Sequence, residues 1–371
     1  MASPHYLLNT SWTSHRLSPL HYKTEASESN SLLAKGPTLD AHASRLRDHL
    51  TNSLDAQGWR AQDDPSAAGG LSAIGALQSC TWEPISSLSF LSQDANAEGS
   101  NEEQGPVGLL ITLTYETTTY KAALLASPGS IPSQTPPKRG RGRPSLTSKP
   151  LLSSSIHLPL LLTRFPKPLR ESFVSFLSSN FDTYVSPLRI SSTRLCDVLQ
   201  EYVESLPSSS SDGRDGSDAE DIIREMHLTL SFAPPIAPSL KALNINVPRE
   251  TVRSFLRASA SQGGSLLAEL SAYVQKHLAM ELGLPLSGPQ LQPAGVNNAV
   301  SSLTGGYVRL TKIACAGFVI TSEGRLKIVA KAEEGGEDDA RNKGALRGGE
   351  ALLRAVLERA GMGFDFKEGE N

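Results

Sequence analysis

Apolar and polar positions alternate along this chain in short blocks, and the period of each block predicts an element. Met226, Leu228, Leu230 and Phe232 alternate with His227, Thr229 and Ser231, the period of two that a half-buried strand requires. Leu243, Ile245 and Val247 repeat that period and stop at Pro248. Residues 107–115 (VGLLITLTY) and 118–126 (TTYKAALLA) are β-branched or apolar runs two residues apart, which predicts a hairpin. Residues 156–163 (IHLPLLLT) predict a buried strand that Pro159 pushes toward a sheet edge. Toward the carboxy end, residues 307–313, 316–321 and 325–331 predict three short strands, the last two joined by the turn Ser322-Glu323-Gly324.

Helical spacing is equally legible. After Ser192, read as the cap, Leu195, Val198, Leu199, Tyr202, Val203 and Leu206 form one apolar stripe. Ser265 is placed to cap a helix over 266–282 whose apolar face includes Leu266, Leu267, Leu270, Tyr273, Val274, His277 and Leu278, with Gly283 as its stop. Thr38 before Leu39, Leu46, Leu50 and Leu54 starts an early helix, and a last one over 345–360 ends at Gly361. Strands and helices alternate irregularly, with neighbouring strands close enough to pair antiparallel. The predicted class is therefore α+β, with mostly antiparallel strands and amphipathic helices, interrupted by disordered insertions.

Composition sharpens this picture. Gly and Pro together supply 54 of 371 residues, so much of the chain must be turn or linker. Four stretches have too few apolar residues to offset the entropy of ordering them: 92–105, 126–150, 207–218 and 332–343. The net charge of −3 conceals blocks of one sign. Residues 117–170 hold nine Lys or Arg and no acid, whereas 201–225 hold eight acids against Arg214 and Arg224. No apolar run approaches the roughly 20 residues that a membrane span needs. The amino terminus lacks the basic start and apolar stretch of a secretory signal. Cys80, Cys196 and Cys315 lie too far apart for a zinc site or disulfide framework, so the expected compartment is intracellular and reducing.

Catalytic chemistry finds no footing. There is no phosphate-binding glycine motif, and Gly305-Gly306 precedes a strand where a phosphate cradle would precede a helix. No nucleophile elbow, zinc-protease helix or kinase signature occurs. His42 and His49 share one face of the early helix, but no carboxylate or cysteine completes a ligand set, and they read as solvated surface. His277 reads as a core or boundary histidine, and Cys315 as a buried, inert thiol in mid-strand. An unrecognised hydrolase or transferase would need a cleft around His227 or His277 with a paired acid. No cofactor and no metal are expected, and the chain is read as a non-enzyme.

One motif carries recognisable physics. Lys138, Arg139, Gly140, Arg141, Gly142, Arg143 and Pro144 resemble an AT-hook. An extended Arg-Gly-Arg segment is narrow enough to lie on the floor of an A·T-rich minor groove, where A-tract narrowing strengthens the negative potential. Arg141 and Arg143 would run along that floor, and Lys138, Arg139 and Lys149 would add phosphate contacts. A nuclear-import signal and a merely solvated basic loop remain the alternatives. The first two readings both place the protein in the nucleus.

Residues 7–20 (LLNTSWTSHRLSPL) resemble the opening of fungal members of the centromere protein L (CENP-L) family of inner-kinetochore subunits. The resemblance continues through 158–170 (LPLLLTRFPKPLR), 181–195 (FDTYVSPLRISSTRL), 227–232 and 308–327 (VRLTKIACAGFVITSEGRLK). It implies a curved α+β fold with an amino-terminal part over 1–126, the basic linker over 127–150, and a carboxy-terminal part with a dimerisation sheet over 151–371. It further implies a non-catalytic adaptor at the centromere that pairs with a CENP-N-like subunit near CENP-A chromatin. The pairing strands would carry Val308, Leu310, Ile313, Phe318, Ile320, Leu326 and Ile328 as partner contacts. The alternative is an AT-hook protein of chromatin or transcription whose main partner is A·T-rich DNA.

Overall fold

The computed structural model describes residues 4–23, 32–33, 36–60, 75–91, 106–126, 153–206, 222–232, 239–262, 266–278, 308–330 and 339–362. They form an α+β fold. Ten strands follow one another in a single antiparallel sheet, in the order β10-β9-β11-β12-β13-β1-β7-β5-β4-β3. Their ranges are β1 Ser11–Leu17, β3 Leu77–Ile85, β4 Gly108–Tyr115, β5 Thr119–Leu125, β7 Leu160–Thr163, β9 Met226–Phe232, β10 Ala242–Val247, β11 Val308–Ala314, β12 Phe318–Thr321 and β13 Arg325–Ile328. A short β8, Val185–Pro187, pairs with the end of β1, and β2 (Leu20–Lys23) pairs with β6 (Ser153–Ile156) in a separate two-stranded sheet. Six helices accompany the strands among the described residues: α1 Pro37–Arg60, α2 Lys167–Phe181, α3 Ser192–Ser205, α4 Arg249–Gln262, α5 Leu266–Leu278 and α6 Asp339–Gly361.

The hairpin of β4 and β5 and the three carboxy-terminal strands form where the alternation places them, and Gly324 takes φ +79° in the β12–β13 turn. Other expectations need correction. Pro159 does not make an edge strand. It breaks residues 153–163 into two, sending β6 to β2 and β7 to the centre of the large sheet between β1 and β5. The cap of α3 is Ser191, whose side chain accepts from the Arg194 amide at 3.4 Å, one residue earlier than the stripe suggests. The insertion expected over 332–343 ends sooner, because α6 already begins at Asp339. Residues 92–105, 127–150, 207–218 and 332–338 lie outside the described residues, as do Ser265 and the end of the helix expected to run to 282.

The elements not expected from the sequence include β1, β3, α2 and α4. β1 buries Ser14 and His15 consecutively, which spoils the alternation; Ser14 Oγ donates to the Gly324 carbonyl, so the buried hydroxyl keeps a partner. β1 nevertheless binds the molecule together. It lies between β7 and β13, Asn9 donates to the carbonyls of Ile328 and Ala330, and Arg16 Nε donates to the Ala360 carbonyl at the end of α6 at 2.8 Å. Leu169, Phe173, Phe176 and Leu177 recur at helical spacing in α2, bounded by the proline-rich start at Pro166 and by Asp182 in the left-handed region.

Two cores lie on opposite faces of the sheet. One joins α1 and α2 to Trp82, Leu109, Ile111, Leu113, Leu124 and Leu161. The other joins α3, α4, α5 and α6 to Trp12, Leu160, Leu162, Leu228, Leu310, Ile320 and Leu326. Around β4, β5 and β7 the two cores overlap, so these strands are buried on both faces. β1 also meets both, with Leu17 in the first core and Trp12 in the second, and from β13 to β10 only the second core is present.

Candidate interaction surfaces

The seven residues expected to meet a partner form part of the second core. Ile313, Phe318 and Ile320 are 0% exposed, Leu310, Leu326 and Ile328 are nearly so, and only Val308 is half-buried. Their side chains face the helices; Phe318 lies 4.5 Å from Tyr202 of α3, centroid to centroid. Nor do their strands offer a free edge, because β11 lies between β9 and β12, and β13 between β12 and β1. The sequence signal for these positions is the signal of a core face.

The exposed features of this half lie elsewhere. β10 ends the strand order, hydrogen-bonded to β9 along Ala242–Val247, and its other edge pairs with no strand among the described residues. An unpaired edge presents a row of N–H and C=O groups to any extended chain. Beside it Leu240 is 45% exposed and Leu243 half-buried, so the edge carries apolar side chains as well as backbone groups. The β10 alternation is that of a half-buried strand, and it does not tell that among the described residues this strand ends the order.

The face of β9–β13 away from the helices is the other exposed feature. These five strands contain Arg309, Lys312, Arg325 and Lys327 and no Asp or Glu. A bulge between Leu310 and Lys312 keeps Arg309 and Lys312 on the outer face while Leu310 and Ile313 stay inside. Arg189 is exposed between the buried Leu188 and Ile190, in a segment held by Leu188 N to Ser14 O and Ile190 N to Ser322 O, and it extends this face. The other outward positions include His227, Thr229, Ser231, Ala242, Asn244, Asn246, Val319 and Thr321. Opposite charge gathers on α3, where Asp197, Glu201 and Glu204 lie near Glu358 of α6; burial, then Glu358, raises the Glu201 carboxyl above its usual range.

Groups that could do chemistry are dispersed or sealed. His227 lies 3.9 Å from Glu225 with both side chains more than half exposed, and no cleft encloses them. His277 is exposed, not in the core, and lies 4.4 Å from Tyr273. The reading of His42 and His49 as solvated surface is also corrected. His42 is buried between Trp82 and Phe181 (5.8 and 5.0 Å), and His49 packs on Phe176 with Nε2 3.2 Å from the Ser172 carbonyl. Burial pushes the thiols of Cys80 and Cys196 up to about 12 and that of Cys315 up to about 11, far from a reactive thiolate. Cys315 follows β11 in the turn to β12, where its amide donates to the Phe318 carbonyl. No cluster of metal-ligating side chains occurs among the described residues, and no described helix is long and apolar enough to cross a membrane. The AT-hook-like residues 138–144 lie outside the described residues.

The described residues thus form an antiparallel α+β fold with helices on both faces around β4, β5 and β7 and on one face from β13 to β10, where a basic sheet face is exposed. Family comparison is more specific. The model of the centromere protein L family matches residues 6–361, and the chain belongs to that family, a structural component of the kinetochore at the nuclear centromere. No curated protein matches the chain.

Proposed function

We propose that this chain is a non-catalytic inner-kinetochore adaptor that pairs with a CENP-N-like subunit by strand addition at β10, the carboxy-terminal strands serving as the platform behind that edge. The observation carrying this reading is the open edge itself, flanked by Leu240 and Leu243. A partner strand would continue the antiparallel ladder and cover those side chains, joining backbone hydrogen bonds to apolar burial. Size-exclusion chromatography with light scattering on mixtures of the two proteins tests it. The 1:1 complex should be lost with Leu240→Asp combined with Leu243→Asp, while the isolated variant elutes as the folded wild type does. An undiminished complex would move the contact off β10.

The basic open face favours a second contact, with a polyanion. Four cations on acid-free strands would meet successive phosphates of a duplex, and such contacts weaken as salt rises. Fluorescence polarisation with duplex DNA should show weaker binding and a shallower salt dependence for Lys312→Glu with Lys327→Glu. Binding that survives this change but disappears with Arg141→Ala and Arg143→Ala would assign the DNA contact to the hook instead.

A further inference from the structure

We draw no further inference here: the strongest candidate, the incompletely buried apolar corner of Phe232, Leu240, Leu243 and Val308 at the β10 end of the sheet, adjoins the edge already proposed as the partner contact, and nothing in the structure shows what else covers it.

Discussion

The sheet uses one kind of pairing from end to end, yet its two ends are covered differently. β4, β5 and β7 lie between two cores, with Leu110 and Leu162 on one side and Ile111 and Leu161 on the other, so their sequences read as nearly unbroken apolar runs. β9 to β13 keep apolar residues on one face and Arg, Lys, Thr and Asn on the other. The first arrangement holds the chain together. The second leaves a polar, basic face uncovered among the described residues, and the contacts proposed above lie on that face and on the β10 edge.

The largest expected effect comes from placing a charge in the doubly covered region. Ile111→Asp puts an unpaired carboxylate at a 0% exposed position and should abolish the cooperative urea transition, because the desolvation cost exceeds a typical domain's stability margin. Phe318→Ala, in the singly covered half, should cost about 3–5 kcal/mol in urea denaturation. Such a loss would show that the residue serves the core, whatever the state of partner binding.

Acid should act through β1, the strand that joins the two halves. Burial, then Arg170, lowers the pKa of His15 from 6.5 to about 4, and burial lowers that of His42 as well. The unfolded chain therefore binds more protons than the folded one between about pH 6.5 and 4, and stability present at neutral pH is lost as pH falls through that window. His15 alone should remove about 2 kcal/mol between pH 7 and pH 5, and His15→Gln should flatten the profile over the same range in urea titrations.

Smaller effects sharpen the contrast. Ser191→Ala should lower stability by about 0.5–1 kcal/mol, the usual loss for a helix cap, whereas Ser192→Ala should do less; chemical denaturation of the pair would locate the cap. Lys312→Glu should shift stability by no more than about 0.5 kcal/mol, as expected of an exposed position on the open face.

The elements legible in the sequence were those whose environment is uniform along their length. β9, β10 and the apolar stripe of α3 alternate or repeat cleanly because one side of each meets the core and the other meets solvent. β1 was not legible as a strand: Ser14 and His15 are buried by neighbours hundreds of residues away, such as Gly324, and no local period records that. The same limit applies to the interaction surface. Periodicity distinguishes the inner face of β11–β13 from the outer face, but it cannot say which strand is last in a sheet, since strand order depends on pairing between distant segments. The resemblance placed partner contacts at Val308, Leu310, Ile313, Phe318, Ile320, Leu326 and Ile328, positions that the sheet turns toward the helices, and only the strand order shows that β10 lies at an end. The cations at 309, 312, 325 and 327 were visible from the start, and only the sheet gathers them onto one face.

Hydrogen exchange of the β10 amides, measured with and without the CENP-N-like subunit, tests the central claim most directly. In an edge strand alternate amides point away from β9. The account predicts that these exchange rapidly in the free protein and become protected in the complex, while the amides bonded to β9 are slow in both. Complex formation that leaves β10 unchanged and protects amides elsewhere would contradict it.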